Sequence, residues 1–163
     1  MRSYFLFLLV TLAACTPARL DRSSYANTMV ISAFMPDKGE AAEYKVGSQV
    51  RFLFNINRAG FLTLLSYGPT GNTAPLETNL RLLAGQQRLP RADDTQGTAQ
   101  AAYVVGVPTG TNRVILMYSS TALKTVPRGR FDNSQLESAI KSVLAASQAE
   151  IIDLAETNIE VTP

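Results

Sequence analysis

Cys15 is the only cysteine in a chain of 163 residues that contains no histidine. Those two facts bound most of what the side chains can do. Without imidazole there is no Ser-His-Asp triad, no Cys-His pair and no histidine-ligated zinc, copper or haem. A lone thiol cannot close a disulfide within the chain. What remains is the chemistry of the thiol itself, and its neighbours narrow that down. Leu12-Ala13-Ala14 runs straight into Cys15, behind an apolar stretch that begins at Phe5 and a short cationic start, Met1-Arg2-Ser3-Tyr4. Charged start, apolar run and small-residue zone are the layout of a secretory signal. The apolar run is far shorter than the ~20 residues a spanning helix requires, so it does not read as a transmembrane anchor.

Leu12-Ala13-Ala14-Cys15 resembles the bacterial lipobox, in which the thiol receives a diacylglyceryl group and the cysteine becomes the new N-terminus. The resemblance implies that residues 1–14 are a lipoprotein signal peptide and that Cys15 is the lipidation site. The competing reading is an ordinary secreted protein with a free Cys15, which leaves an unpaired thiol in an oxidising compartment. Each buried methylene contributes about 0.8 kcal/mol and a single chain binds only marginally, so several acyl chains make a durable anchor. Thr16, next to the cysteine, points by bacterial sorting rules to the outer membrane. The protein is therefore expected in a bacterial cell envelope, held to the membrane through its N-terminal lipid.

No other stretch carries comparable chemistry. Asp93-Asp94 with Gly97 lacks the alternating oxygen ligands and distal glutamate of a calcium loop and reads as a solvated loop. Arg128-Gly129-Arg130, with Lys124 nearby, could touch anionic lipid or polysaccharide, but three charges make a weak patch and an ordinary exposed loop is the favoured reading. Tyr67, Tyr103 and Tyr118 fit either a binding face or core positions with the hydroxyl at the rim. Asn55 and Asn57 read as outward strand residues. The 13 acidic residues show no evident catalytic pairing, and no Gly-x-Ser-x-Gly, Walker loop or dinucleotide fingerprint is present. A net charge of +2 and a pI near 8.8 are too mild for a nucleic-acid binder. The expectation is a protein that is not an enzyme, with no metal and no cofactor. Its partner would be an envelope protein or complex, or alternatively a glycan or small apolar ligand.

The elements that would present such surfaces follow from periodicity. Residues 15–28 are polar and aperiodic and read as a flexible tether that holds a domain clear of headgroups. Residues 29–163 then read as one domain. Met29–Met35 is a strand candidate stopped by Pro36. Val50, Phe52, Phe54 and Ile56 alternate with Arg51, Leu53, Asn55 and Asn57, which argues for a strand with one strongly apolar face. Asn57–Gly60 reads as a turn and Phe61–Tyr67 as the returning arm of a hairpin. A short strand is expected at about Thr73–Glu77, while Leu80–Ala84 is undecided between strand and helical turn. Gly85–Pro90 looks like a strand leading into an edge. Ala101–Val107 and Arg113–Ser119 read as two strands joined by a hairpin loop, the second covered on both faces. Leu136, Ile140, Val143 and Leu144 fall on one helical face, predicting a helix over about 133–147, capped by Asp132, Asn133 or Ser134 with Glu137 completing a box behind Ser134. Ile151 to Val161 suggests a final strand at an edge. The expected class is mainly β: an antiparallel, immunoglobulin-like β-sandwich with one C-terminal helix packed on the sheet.

Between about Tyr44 and Ser120 these segments resemble a bacterial family known only as domain of unknown function 4384. The resemblance rests on Gly47-x-x-Val50-x-Phe52-x-Phe54, Gly60-Phe61-Leu62-x-Leu64, Gly71, Leu83-Ala84-Gly85, Leu89-Pro90, and Pro108-x-Gly110 before Ile115-x-Met117-x-Ser119. Where the family usually has Leu-Phe-Pro-Asn, this chain has Leu76-Glu77-Thr78-Asn79. The motifs are turn glycines and strand apolars. They imply a fold and an envelope binding or scaffolding role, and no catalytic residues.

Overall fold

The computed structural model describes residues 19–91, 95–96 and 99–163. In chain order the strands are β1 (Ile31–Pro36), β2 (Glu43–Lys45), β3 (Gln49–Val50), β4 (Phe52–Ile56), β5 (Gly60–Tyr67), β6 (Asn72–Leu82), β7 (Gly85–Leu89), β8 (Thr95–Gln96), β9 (Ala99–Gln100), β10 (Tyr103–Val104), β11 (Gly110–Ser119), β12 (Gly129–Arg130) and β13 (Ile152–Thr162), with one α-helix, α1 (Asn133–Ser147), before the last. The molecule is mainly β, a sandwich plus one helix near the C-terminus, as the alternation predicts. A six-stranded sheet runs in the order β12-β6-β5-β11-β13-β2, and a three-stranded antiparallel sheet, β1-β4-β7, covers one of its faces. The helix covers the other. The β13–β2 pair is parallel, so the larger sheet is mixed. Among the described residues no helix is long and apolar enough to cross a membrane.

β11 is the spine. It lies between β5 and β13, and every residue from Arg113 to Ser119 is buried. Val114, Leu116 and Tyr118 face the smaller sheet and meet Phe52, Phe54 and Ile56 of β4, the apolar side of the period-two pattern. Ile115 and Met117 face the helix and meet Leu136, Ile140 and Leu144. Those helical positions are the i, i+4, i+8 stripe that predicts the helix. Its N-cap is Asp132, which accepts from the Gln135 N–H at 2.8 Å while the Gln135 side chain accepts from the Asp132 N–H at 3.0 Å. The capping box therefore uses Asp132 and Gln135 and not Ser134 and Glu137.

Four expectations are corrected. β4 and β5 do not form a hairpin: β4 pairs with β1 and β7, and β5 with β6 and β11. Residues 57–59 carry the chain from one sheet to the other, under Tyr118, whose hydroxyl donates to the Ala59 carbonyl at 2.9 Å. Alternation reports which face of a strand is buried, and it does not report which sheet the next strand joins. The strand expected over Ala101–Val107 shrinks to Tyr103–Val104, since β3 offers two partner residues and Val104 and Val107 are exposed. It lies apart from β11's sheet, so residues 108–112 are not a hairpin loop. β13 is not an edge: it pairs with β11 over ten positions and with β2 at its end. The short strand expected at Thr73–Glu77 extends to Leu82 and absorbs the undecided apolar run.

Two motif glycines sit where a side chain is excluded. A Cβ on Gly71 would lie 2.4 Å from the Phe131 carbonyl oxygen, and its φ is +83°. A Cβ on Gly60 would lie 2.4 Å from the Tyr118 ring. Gly71→Ala is expected to lower stability by about 2–3 kcal/mol, because backbone strain and a backbone clash add. Denaturant unfolding of the purified domain checks this.

Candidate functional site: a buried clamp on the N-terminal segment

Along one side β13 is covered by β2 only at Glu160–Thr162. Much of the remaining stretch, Ile152–Thr157, would be an open strand edge, and residues 20–31 close it. This corrects the flexible tether over residues 19–28, while residues 15–18 lie outside the described residues. Leu20 is buried against the helix-side core, and Arg22–Ser24 form a 3₁₀ turn capped by Asp21. Asn27 acts as a strand substitute: its N–H donates to the Ile152 carbonyl at 3.1 Å, and its side-chain oxygen accepts from the Ile152 N–H at 3.0 Å. An edge filled this way offers no template for uncontrolled pairing.

Two buried carboxylates on β13 hold the segment. Asp153 points between the sheets and is fully buried. It accepts from the Val30 and Ile31 N–H groups at 2.6 Å each and from the Leu154 N–H at 2.8 Å. Arg22 meets it side-on through Nε, at 2.7 Å, and Nη2, and the same Nη2 donates to the Ile31 carbonyl at 2.8 Å. Glu156 points to the helix side. It takes a bidentate pair from Arg113, Nε at 2.8 Å and Nη2 at 2.9 Å, and also accepts from the Leu20 N–H at 3.0 Å. Arg113 Nη1 donates to Asn133 at the start of α1 at 2.9 Å, and its guanidinium stacks over Tyr67 at 5.3 Å. Strand, helix start and N-terminal segment thus meet at one arginine that is 1% exposed. Bidentate, charge-assisted bonds of this kind fix geometry and add strength.

The clamp is structural chemistry. Both carboxylates are occupied by cations and backbone donors, leaving no open position for a substrate proton. Among the described residues no group of three or more His, Cys, Asp or Glu side chains could hold a metal ion. The clamp residues were not singled out from the sequence. The signal was present in Asp153 and Glu156, charges set into the Ile151–Val161 apolar pattern, and in Arg113, which opens an apolar run. A charge in such a run is buried, and buried charges are paired.

Beside the clamp, the turn between β1 and β2 is tied down too. Glu40 pairs with Arg19. Tyr44 donates to Asp37 Oδ1 at 2.6 Å and accepts from the Lys38 N–H at 3.2 Å. Burial, then the Asp37 hydrogen bond, push the Tyr44 phenol from 10.0 up to about 12. The folded state keeps the proton longer than the unfolded state does. Its stabilisation is full below pH 10 and is lost as pH rises through about 12. Alkaline unfolding across that window is expected to weaken in Tyr44→Phe, which ultraviolet phenolate titration against wild type checks.

The remaining sequence candidates are dispersed. Cys15, Asp93, Asp94 and Gly97 lie outside the described residues. Tyr67, Tyr103 and Tyr118 are core or rim residues whose hydroxyls donate to the Phe131 carbonyl, Glu77 and the Ala59 carbonyl. Arg128 is exposed, and Arg130 extends β12 and donates to the Thr70 carbonyl at 3.1 Å. Asn55 faces outward and Asn57 donates to the Met29 carbonyl at 3.1 Å. Asn79, at φ 52°, exchanges two hydrogen bonds with the Leu123 backbone, at 2.8 and 2.7 Å, and so fixes the loop before the helix. The outer face of the smaller sheet carries a groove of about 640 Å³ lined by Ala33, Met35, Leu53, Asn55, Gln86 and Arg88 among others.

No family model matches the chain, and no curated protein or solved structure matches it.

Proposed function

We propose that this is a lipid-anchored cell-envelope protein of a bacterium, sorted to the outer membrane, whose non-catalytic β-domain binds or scaffolds a larger surface or secretion-linked assembly. The observation that carries the reading is Leu12-Ala13-Ala14-Cys15 behind a cationic start and an apolar run, with that cysteine the only one in the chain. The absence of histidine and the pairing of the buried charges at the clamp support a role without catalysis. The resemblance to domain of unknown function 4384 belongs to the same proposal. Support for it comes from Gly60 and Gly71, motif positions where a Cβ would collide.

Replacing the acylated sulfur tests the anchor. Cys15→Ser is expected to move the protein from the membrane to the soluble envelope fraction, because the lipid is lost while the fold is untouched. Equal membrane retention of the variant contradicts the reading. The groove on the outer sheet face favours a second role, capture of a glycan or small apolar molecule, since its size falls within the ligand-pocket range. Binding that Leu53→Lys abolishes would support that role.

A further inference from the structure

We propose that the domain is held close beside the bilayer and that the turn between β1 and β2, Asp37 to Glu40, faces the lipid headgroups. The inference rests on the lipid at Cys15 proposed above. It follows from where the fold takes hold of the chain. Only Thr16, Pro17 and Ala18 separate Cys15 from Arg19. An extended chain spans at most about 3.3–3.6 Å per residue, so the Leu20 Cα stays within ~18 Å of the Cα that bears the lipid. At Leu20 the leash ends, because the side chain is buried and its N–H is bound to Glu156. Arg22, two residues on, is locked to the buried Asp153.

A globular domain of this length has a radius of gyration of ~15 Å, so a leash of at most ~18 Å keeps it within about one radius of the surface. The headgroup layer occupies about 5–7 Å on each side of the hydrocarbon. The N-terminal face of the domain therefore stays within about 11–13 Å of that layer and is the face held nearest to it. Arg19 identifies the part that is so held. It is paired with Glu40, the last residue of the Asp37–Glu40 turn, and Tyr44 pins that turn through Asp37 and the Lys38 backbone. The turn and Arg19 are thus tied together. Its exposed side chains, Arg19, Asp37, Lys38 and Glu40, are polar and of both signs, which suits contact with hydrated headgroups and not insertion into acyl chains. Leu83 is 73% exposed and follows β6, which lies three strands from β13 in the larger sheet. Three strand spacings place it about 14 Å across the sheet from the clamp.

The test uses the lipidated chain in phosphatidylethanolamine–phosphatidylglycerol vesicles. The sulfur of Cys15 is blocked by the lipid, so one introduced cysteine carries one fluorophore, at Lys38→Cys or at Leu83→Cys. A nitroxide on the lipid headgroups then quenches by proximity. Quenching several-fold stronger at position 38 than at 83 is the expected result. Equal or reversed quenching overturns the orientation. A flexible insert of about twelve Gly and Ser residues after Ala18 lengthens the leash and is expected to erase the contrast; a contrast that survives the insert overturns the leash argument. Failure of the protein to float with vesicles refutes the anchor reading, and flotation with equal quenching refutes the orientation alone.

Discussion

Arg113→Ala lowers the unfolding free energy by about 3–5 kcal/mol, the cost of leaving one member of a buried ion pair without its partner. Glu156 would keep the Leu20 N–H and lose both guanidinium bonds, in a site where its side chain is 4% exposed. Asn133 would lose its donor at the start of α1, and Tyr67 the cation over its ring. The double variant Arg113→Met/Glu156→Leu provides the contrast. Replacing both charges with apolar groups of similar volume is expected to recover most of the loss, since desolvation of the pair offsets much of its attraction. Denaturant unfolding of the wild type, the single variant and the double variant measures both. A single variant as stable as the wild type would show that the pair is not buried as described.

Asp153→Ala is expected to cost a similar ~3–5 kcal/mol, with a more local signature. The carboxylate satisfies the Val30, Ile31 and Leu154 N–H groups together with Arg22. Its removal leaves buried donors unpaired where β1 and β13 meet. Residues 19–31 should then detach ahead of the core, exposing Arg19 and Arg22 to trypsin and raising hydrogen exchange from Leu20 to Ile31 while β11 stays protected. Arg22→Ala should cost less, about 1–2 kcal/mol, because its side chain is 33% exposed and Asp153 keeps its backbone donors. Uniform loss of protection across the sheet in Asp153→Ala would contradict the clamp.

The strands and helix were legible where one period dominates. Phe52, Phe54 and Ile56 announced a half-buried strand, and Leu136, Ile140 and Leu144 announced the helix at the boundaries it adopts. Which strands pair was not legible, because the same pattern serves a hairpin and a crossing between sheets. The crossing at residues 57–59 depends on Tyr118, 59 residues further on. The clamp was hidden for a related reason. Arg22, Asp21, Ser23 and Ser24 are the composition of a flexible segment, and only long-range partners 131 to 136 residues away turn it into structure. The proposed lipidation site, Cys15, is local by nature, since its motif is a few adjacent residues behind an apolar run and is legible without the fold.

The covalent state of Cys15 decides whether the protein is anchored as proposed. Mass spectrometry of the protein extracted from membranes reads that state directly. The expected N-terminal peptide begins at Cys15, lacks residues 1–14 and carries the mass of a diacylglyceryl group with or without a further acyl chain. An N-terminal peptide with an unmodified Cys15, or one that begins elsewhere, would contradict it.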